Sequence, residues 1–218
     1  MHLRTSAVAL GAALVLGLAA CGSDDDATTS TAAPAAAAKP LVQVDALNGE
    51  STAISLTPAF AGSLAKLKAQ GFPLGSAKIS RTGRSTYPIT GGKLTYSDPK
   101  STDTPLQGVI EHSGSGLRLT NAKSKVDLRD FVVDVDGLAL KADITVDGKA
   151  VSQDTPIFAL DASTMKPKLD DATGVALLKG FTVRLEPATA ELLNTSFGTQ
   201  GVSAGEVVGT ATVTVDTK

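Results

Sequence analysis

The stretch FVVDVDGLALKADITV, residues 131–146, decides the fold. In its second half apolar residues occupy every second position, namely Leu138, Leu140, Ala142, Ile144 and Val146. A period of two is typical of a β-strand with one buried face. Asp136-Gly137 separates this run from the alternating run before it, and glycine supplies the positive φ that tight hairpins need. The sequence therefore predicts a β-hairpin that turns at Asp136-Gly137.

Short alternating runs continue through the rest of the chain. Turn signals stand at Gly91-Gly92, Gly114-Ser115-Gly116 and Asp147-Gly148, and a long closing strand is predicted over residues 207–215. The other predicted strands cover residues 41–47, 52–56, 76–81, 92–97, 106–112, 116–120, 125–135, 156–160 and 181–185. This spacing indicates a mainly β fold, an antiparallel β-sandwich or barrel-like domain.

Two short helices are expected to interrupt the strands. One begins at Thr57-Pro58, with Thr57 as the N-cap and proline at the first helical position, and the other begins at Glu186-Pro187. The two strand-to-helix junctions align, residues 54–61 (ISLTPAFA) with residues 183–190 (VRLEPATA). This match predicts an internal pseudo-repeat, although short junctions of this kind can also agree by chance.

The N-terminus carries a targeting signal. Arg4 precedes an apolar run from Ala7 to Leu18, which is too short to span a bilayer and has the length of a signal-peptide core. The run ends in Leu18-Ala19-Ala20-Cys21, which resembles the lipobox of bacterial lipoproteins. The resemblance implies that residues 1–20 are a lipoprotein signal peptide and that Cys21, the only cysteine, is lipid-modified after cleavage.

Residues 21–40 are rich in Ala, Thr, Ser and Pro and lack aromatic and large aliphatic side chains up to Pro40. Such a segment buries too little apolar surface to offset the entropy of ordering, so we expect a disordered tether. Residues 41–218 then form a single β-rich domain. This organisation places the domain on the extracytoplasmic face of the bacterial cell membrane, held there through Cys21.

Composition excludes several classes of function. Twenty basic residues face 22 acidic ones, which argues against a nucleic-acid partner and gives no polybasic patch for anionic lipid. With one cysteine and two histidines the chain cannot build a histidine-rich or thiolate metal site. No nucleophile elbow, P-loop or dinucleotide motif is present, so no catalytic residue is assigned and the chain is not expected to be an enzyme.

The segment GVIEHSGSGLRL, residues 108–119, is predicted to be a strand that carries His112 to its end, a small-residue turn and a returning strand. Together with YPITGG (87–92), TPIFALD (155–161), AELLNTSFG (190–198) and GEVVGTA (205–211), it resembles HtaA-type haem-binding bacterial surface domains over roughly residues 87–215. The resemblance implies a similar fold and a possible haem cofactor.

In HtaA-type domains a tyrosinate holds the haem iron and a histidine assists. His112 matches the histidine-bearing segment, and Tyr87 and Tyr96 are the only tyrosines. The aromatic-rich N-terminal motif that supplies the family's tyrosine is not found. A residue at the end of a hairpin, hydrogen-bonded to the backbone, is the alternative interpretation of His112.

Three functions follow from these observations. The first is a non-catalytic, lipid-anchored β-domain that binds an envelope protein or a small ligand, or has a structural role in the envelope. The second is a haem-binding lipoprotein that uses His112 with Tyr87 or Tyr96. The third is a hydrolase that pairs His112 with Ser113 or Ser115, which is the least favoured because neighbouring residues of a strand point to opposite faces.

Overall fold

A computed structural model describes residues 40–170 and 174–217. These residues form β-strands and two short helices, which confirms the predicted mainly β class. The elements are β1 (Pro40–Val44), β2 (Glu50–Leu56), α1 (Pro58–Lys66), β3 (Gln70–Gly75), β4 (Lys78–Ile79), β5 (Arg84–Pro88), β6 (Gly91–Ser97), β7 (Leu106–Thr120), β8 (Lys125–Asp134), β9 (Ala139–Val146), β10 (Lys149–Asp161), β11 (Lys166–Asp170), β12 (Val175–Leu185), α2 (Pro187–Phe197) and β13 (Val207–Asp216). The predicted signal peptide, Cys21 and the tether up to residue 39 lie outside the described residues, and Pro40 already belongs to β1.

All strand pairs are antiparallel and run in the order β1-β6-β7-β8-β9-β10-β12-β13-β2-β5-β4. In the described part of the chain β1 and β4 are the two ends of this path and do not pair, so the sheet is not a closed barrel. The apolar side chains of its inner face join with both helices in one continuous core, which gives a sandwich-like arrangement.

Two long strands, β7 and β12, each pair along one edge with two different strands in succession. β6 pairs with Leu106–Glu111 of β7, and β3 pairs with the second half of β7 from Ser115 to Thr120. β12 is divided in the same way between β11 and β10. The middle of β7 is therefore the point where one neighbouring strand ends and another begins.

The hairpin predicted between residues 131 and 146 is present as β8 and β9. However, the positive φ of 47° belongs to Leu138, and Gly137 does not have one. The Gly137 N–H donates to Asp134 Oδ1 at 2.8 Å, and a Cβ at position 137 would lie 3.0 Å from the same carboxylate, so a larger residue would require the Asp134 side chain to shift. Asp147-Gly148 does turn the next hairpin with positive φ at both residues, as a two-residue type I′ loop needs.

The turn predicted at Gly114-Ser115-Gly116 is wrong. β7 continues through this segment, and its pairing with β8 jumps from His112–Phe131 to Gly116–Arg129, so three residues of β7 lie opposite Asp130 alone. The glycines serve this bulge: Gly114 has a φ of +73°, and Gly116 lies directly against the β8 backbone. The predicted strands 106–112 and 116–120 are therefore one strand.

Both predicted helices begin at their proline. Thr57 caps α1 by accepting the Phe60 N–H at 3.1 Å, whereas Glu186 gives α2 no side-chain cap. The two matched junctions lie at the ends of β2 and β12. Both of these strands pair with β13, one on each side. The strands that follow differ, because β3 pairs with β7 while β13 returns beside β12. The pseudo-repeat therefore covers the strand-to-helix junction and not a whole unit.

Candidate functional site

His112 lies in the middle of β7, where the neighbouring strand changes from β6 to β3, and not at a hairpin end as the sequence predicted. Its side chain is 1% exposed. Nδ1 lies 2.9 Å from the Pro88 carbonyl oxygen, so this nitrogen carries the proton and donates it to the backbone. The backbone hydrogen bond expected in the alternative interpretation is thus present, although the residue is deep inside the domain.

The second ring nitrogen of His112 is unusual. Within residues 40–170 and 174–217 no hydrogen-bond partner faces the buried Nε2 atom. Burial lowers the pKa of His112, and the carbonyl oxygens of Pro88 and Tyr87 oppose this shift. The imidazole is therefore neutral at physiological pH, with an unshared lone pair on Nε2.

Tyr87 is the neighbour of His112 in the core. It lies on β5, is 3% exposed, and its ring centre is 6.4 Å from that of His112 in an edge-on arrangement. Phe131 also packs edge-on against the Tyr87 ring, with ring centres 4.8 Å apart and an interplanar angle of 78°. Burial raises the pKa of the Tyr87 phenol, and a hydrogen bond with Ser85 partly counters it. Tyr87 is thus a neutral phenol in an apolar cluster.

Tyr96 is far from this cluster. It lies on β6 opposite Leu106, six residues along β7 from His112, a span of about 20 Å in a strand. Its side chain lines a separate cavity with Leu41, Leu94 and Leu169. Of the two candidate tyrosines, the structure brings only Tyr87 to His112.

The serines considered for a hydrolase do not contact the imidazole. Ser115 Oγ donates to the backbone carbonyl of His112 at 2.8 Å, and Ser113 is exposed while His112 is buried. The described residues therefore offer no nucleophile hydrogen-bonded to this base. They also contain no group of three or more His, Cys, Asp or Glu side chains that could hold a metal ion.

An apolar cavity of about 190 Å³ lies between the two helices and the inner face of the sheet. No local sequence pattern indicates this cavity, because its walls come from eleven separate elements and from the turn that joins β4 and β5. The lining residues are Ile54, Leu56, Phe60, Leu64, Gly71, Ile79, Gly83, Ser85, Tyr87, Leu117, Leu119, Leu128, Phe158, Leu185, Thr189, Leu193 and Val208. None of these carries a charge. Tyr87 is part of the wall, whereas His112 lies behind it and does not reach the cavity.

The buried imidazole makes folding sensitive to pH. In an unfolded chain histidine titrates near pH 6.5. Because burial lowers the pKa of His112 in the folded state, the unfolded state binds the proton first as the pH falls below about 6.5. We expect the free energy of unfolding to fall there by up to about 1.4 kcal/mol per pH unit. His112→Gln removes the titrating group, so urea unfolding of this variant between pH 7 and 5 should lack that slope. An equal slope in both proteins would contradict the prediction.

Known structures share this fold. The domain is similar to the haem-binding protein HtaB from Corynebacterium glutamicum, at 11% identity and a TM-score of 0.54, over 81% of this chain and 96% of that one. It is also similar to the C-terminal domain of HtaA from the same organism, at 12% identity and a TM-score of 0.53, over 80% of this chain and 98% of the other. No protein-family model and no curated protein matches the sequence. The chain thus has an HtaA-type fold, as the sequence resemblance implied.

The Tyr87–His112 cluster does not fit a coordinated haem. Oxygen and nitrogen donors of suitable types are adjacent, and His112 Nε2 lacks a partner. However, the cavity of about 190 Å³ is smaller than the roughly 300–1,000 Å³ of most small-molecule sites, and His112 does not line it. Burial also disfavours the tyrosinate that would hold the iron.

Proposed function

We propose that this chain is an extracytoplasmic bacterial lipoprotein, anchored through Cys21, whose β-rich domain binds a small apolar ligand without converting it. The observation that carries this proposal is the uncharged cavity between α1, α2 and the sheet. A natural protein core is normally packed without voids, so an apolar cavity reaching the surface favours a binding role. The lipobox-like segment supports the anchor. Neither α1 nor α2, the two helices of the described residues, has the length and hydrophobicity of a membrane span.

Within this proposal Tyr87 and His112 have different roles. Tyr87 contacts the ligand, because its ring forms part of the cavity wall. His112 is a positioning residue that holds β5 through the Pro88 carbonyl and supports the Tyr87 ring from behind. Tyr96 takes no part, since it lines another cavity.

Haem binding is the second candidate. The similarity to HtaB, which is named as a haem-binding protein, favours it, and so does the Nε2 atom of the buried histidine, which has no hydrogen-bond partner among the described residues. The size of the cavity and the burial of His112 speak against it, so haem would need other ligands in this chain or a rearranged core.

One titration separates the two candidates. The predicted mature chain, residues 21–218, is prepared without acyl groups and titrated with diphenylhexatriene, a rod-shaped uncharged fluorophore, and in parallel with haemin. We expect saturable fluorescence enhancement and no saturable Soret shift. Leu64→Trp narrows the cavity and should weaken fluorophore binding at least about tenfold, or 1.4 kcal/mol, whereas Leu138→Trp on an exposed turn should not.

Two results would overturn the leading proposal. Unchanged fluorophore binding in Leu64→Trp would show that the cavity is not the site. A saturable Soret shift that is lost in Tyr87→Phe and retained in Tyr96→Phe would make haem the ligand and Tyr87 its contact. Circular dichroism of each variant confirms that the domain is folded.

A further inference from the structure

The residues that line the cavity range from exposed to fully buried. At its surface end Leu64, Gly71, Ile79 and Gly83 are exposed or half-buried, and we call these four residues the mouth. At its inner end the walls are fully buried side chains such as Leu128 and Leu185, each 1% exposed. A cavity of about 190 Å³ whose lining extends from half-exposed to fully buried apolar residues suits a linear hydrocarbon group.

The hydroxyl groups of Ser85 and Tyr87 in the cavity wall already have hydrogen-bond partners within the protein. Ser85 Oγ donates to the Ile54 carbonyl oxygen at 3.4 Å and also interacts with the Tyr87 hydroxyl. The remaining lining is almost entirely aliphatic or aromatic. A hydrocarbon chain can therefore fill the cavity without leaving a buried polar group unsatisfied.

Basic residues are close in sequence to the mouth residues. Residues 51–97, which supply all of the mouth, contain no Asp or Glu but have six basic residues, namely Lys66, Lys68, Lys78, Arg81, Arg84 and Lys93. All except Lys93 are within three positions of a mouth residue, and these five exposed side chains form what we call the basic rim. Glu206 reaches α1, where its carboxylate accepts a hydrogen bond from the Ser63 hydroxyl at 2.5 Å. The near-balance of charge over the whole chain conceals this local excess.

We propose, building on the proposed function above, that the ligand is an anionic amphiphile with one unbranched acyl chain in the cavity and its negatively charged head at the basic rim. The apolar walls select the chain, and the arginine and lysine side chains attract a carboxylate or phosphate. A free fatty acid and an anionic phospholipid share this chemistry. Both are at hand for a domain tethered to a membrane surface.

Glycine keeps the mouth open. Gly71 on β3 has no strained φ, and a Cβ there would lie 3.7 Å from the side chains of Leu117 and Leu119, an ordinary contact distance. A leucine at this position would therefore be tolerated by the fold and would occupy the entrance. Gly62 on α1 has nothing within 4 Å of a built Cβ, so Gly62→Leu is a matched control that leaves the entrance open.

The experiment titrates the unacylated chain of residues 21–218 with cis-parinaric acid, a fluorescent fatty acid, and with its methyl ester. We expect saturable binding of the acid with one site per chain, weakened at least about tenfold by Gly71→Leu and unchanged by Gly62→Leu. Arg81→Gln combined with Arg84→Gln should weaken the acid severalfold and leave the ester unaffected, and added salt should have the same selective effect. Displacement by phosphatidylglycerol but not phosphatidylcholine identifies a lipid source, and displacement by free fatty acid alone identifies a fatty acid.

Different contrary results would overturn different parts of the proposal. Equal binding of Gly71→Leu and Gly62→Leu, with both folded, overturns the cavity as the site of the acyl chain. An ester that binds as tightly as the acid overturns the role of the basic rim. If diphenylhexatriene binds in the cavity and the fatty acid does not, this inference fails while the proposed function stands; if neither binds, both fail.

Discussion

Phe131→Ala is expected to destabilise the domain by about 3–5 kcal/mol, which is the usual cost of truncating a fully buried phenylalanine. Phe131 is 2% exposed, packs against Tyr87 at 4.8 Å and lies opposite His112 in the β7–β8 pair. Its removal leaves a cavity beside two other buried rings that cannot collapse without moving β5. Urea unfolding followed by circular dichroism measures the change as a lower midpoint at an unchanged slope.

Phe72→Ala provides the matched control for this substitution. Phe72 is 45% exposed on β3, so the same truncation there should cost well under about 1 kcal/mol. If the two variants unfold at the same urea concentration, the Tyr87–Phe131–His112 cluster does not form the packed centre of the domain.

Gly116→Ala is expected to destabilise the domain by about 3 kcal/mol, the upper part of the usual range for overpacking. A Cβ at this position would lie 2.3 Å from the Leu128 carbonyl oxygen and 3.0 Å from the Arg129 Cα, both backbone atoms of β8. Relief of this clash requires β7 and β8 to separate where their pairing resumes after the bulge. Thermal and urea unfolding monitored by circular dichroism measure the loss.

Gly62→Ala is the control, and its expected effect on the free energy of unfolding is opposite to that of Gly116→Ala. Gly62 lies in α1 with open space around a built Cβ, so alanine should raise stability by up to about 1 kcal/mol through helix propensity. If both alanine variants have wild-type stability, β7 and β8 are not in close backbone contact at Gly116.

Much of the sheet could be predicted because its turns are local. Asp147-Gly148 specifies a hairpin by backbone conformation alone, and the proline and capping residues specify where α1 begins. β3, β5 and β11 were not predicted, and β3 shows a physical reason for this. β3 contains Gly71 and Pro73, which interrupt the alternating pattern, and it is held in place by pairing with a strand that is distant in sequence. Such pairing leaves no local signal.

The site was predictable only in part. Alternation with Ile110 puts His112 on the buried face of β7, but three small residues after it looked like a turn and in fact form a bulge. The contact between Tyr87 and His112 joins strands β5 and β7, and no local pattern relates two such residues. The local excess of basic residues in segment 51–97 was visible in the sequence. A charge count over the whole chain does not reveal it, because acidic residues elsewhere balance it.

The position of β13 has a consequence for how the protein is made. This last strand, ten residues long, is inserted between β2 and β12, and Gly209 pairs with Leu56 on one side and Val183 on the other. A chain that is synthesised or exported from its N-terminus therefore cannot complete the sheet until β13 is available. Until then β2 and β12 present unpaired edges, which are prone to aggregation, and the long sequence separation of β2 and β13 makes their pairing slow. Completion of this sheet is thus a late event, which cannot precede the synthesis of residues 207–216.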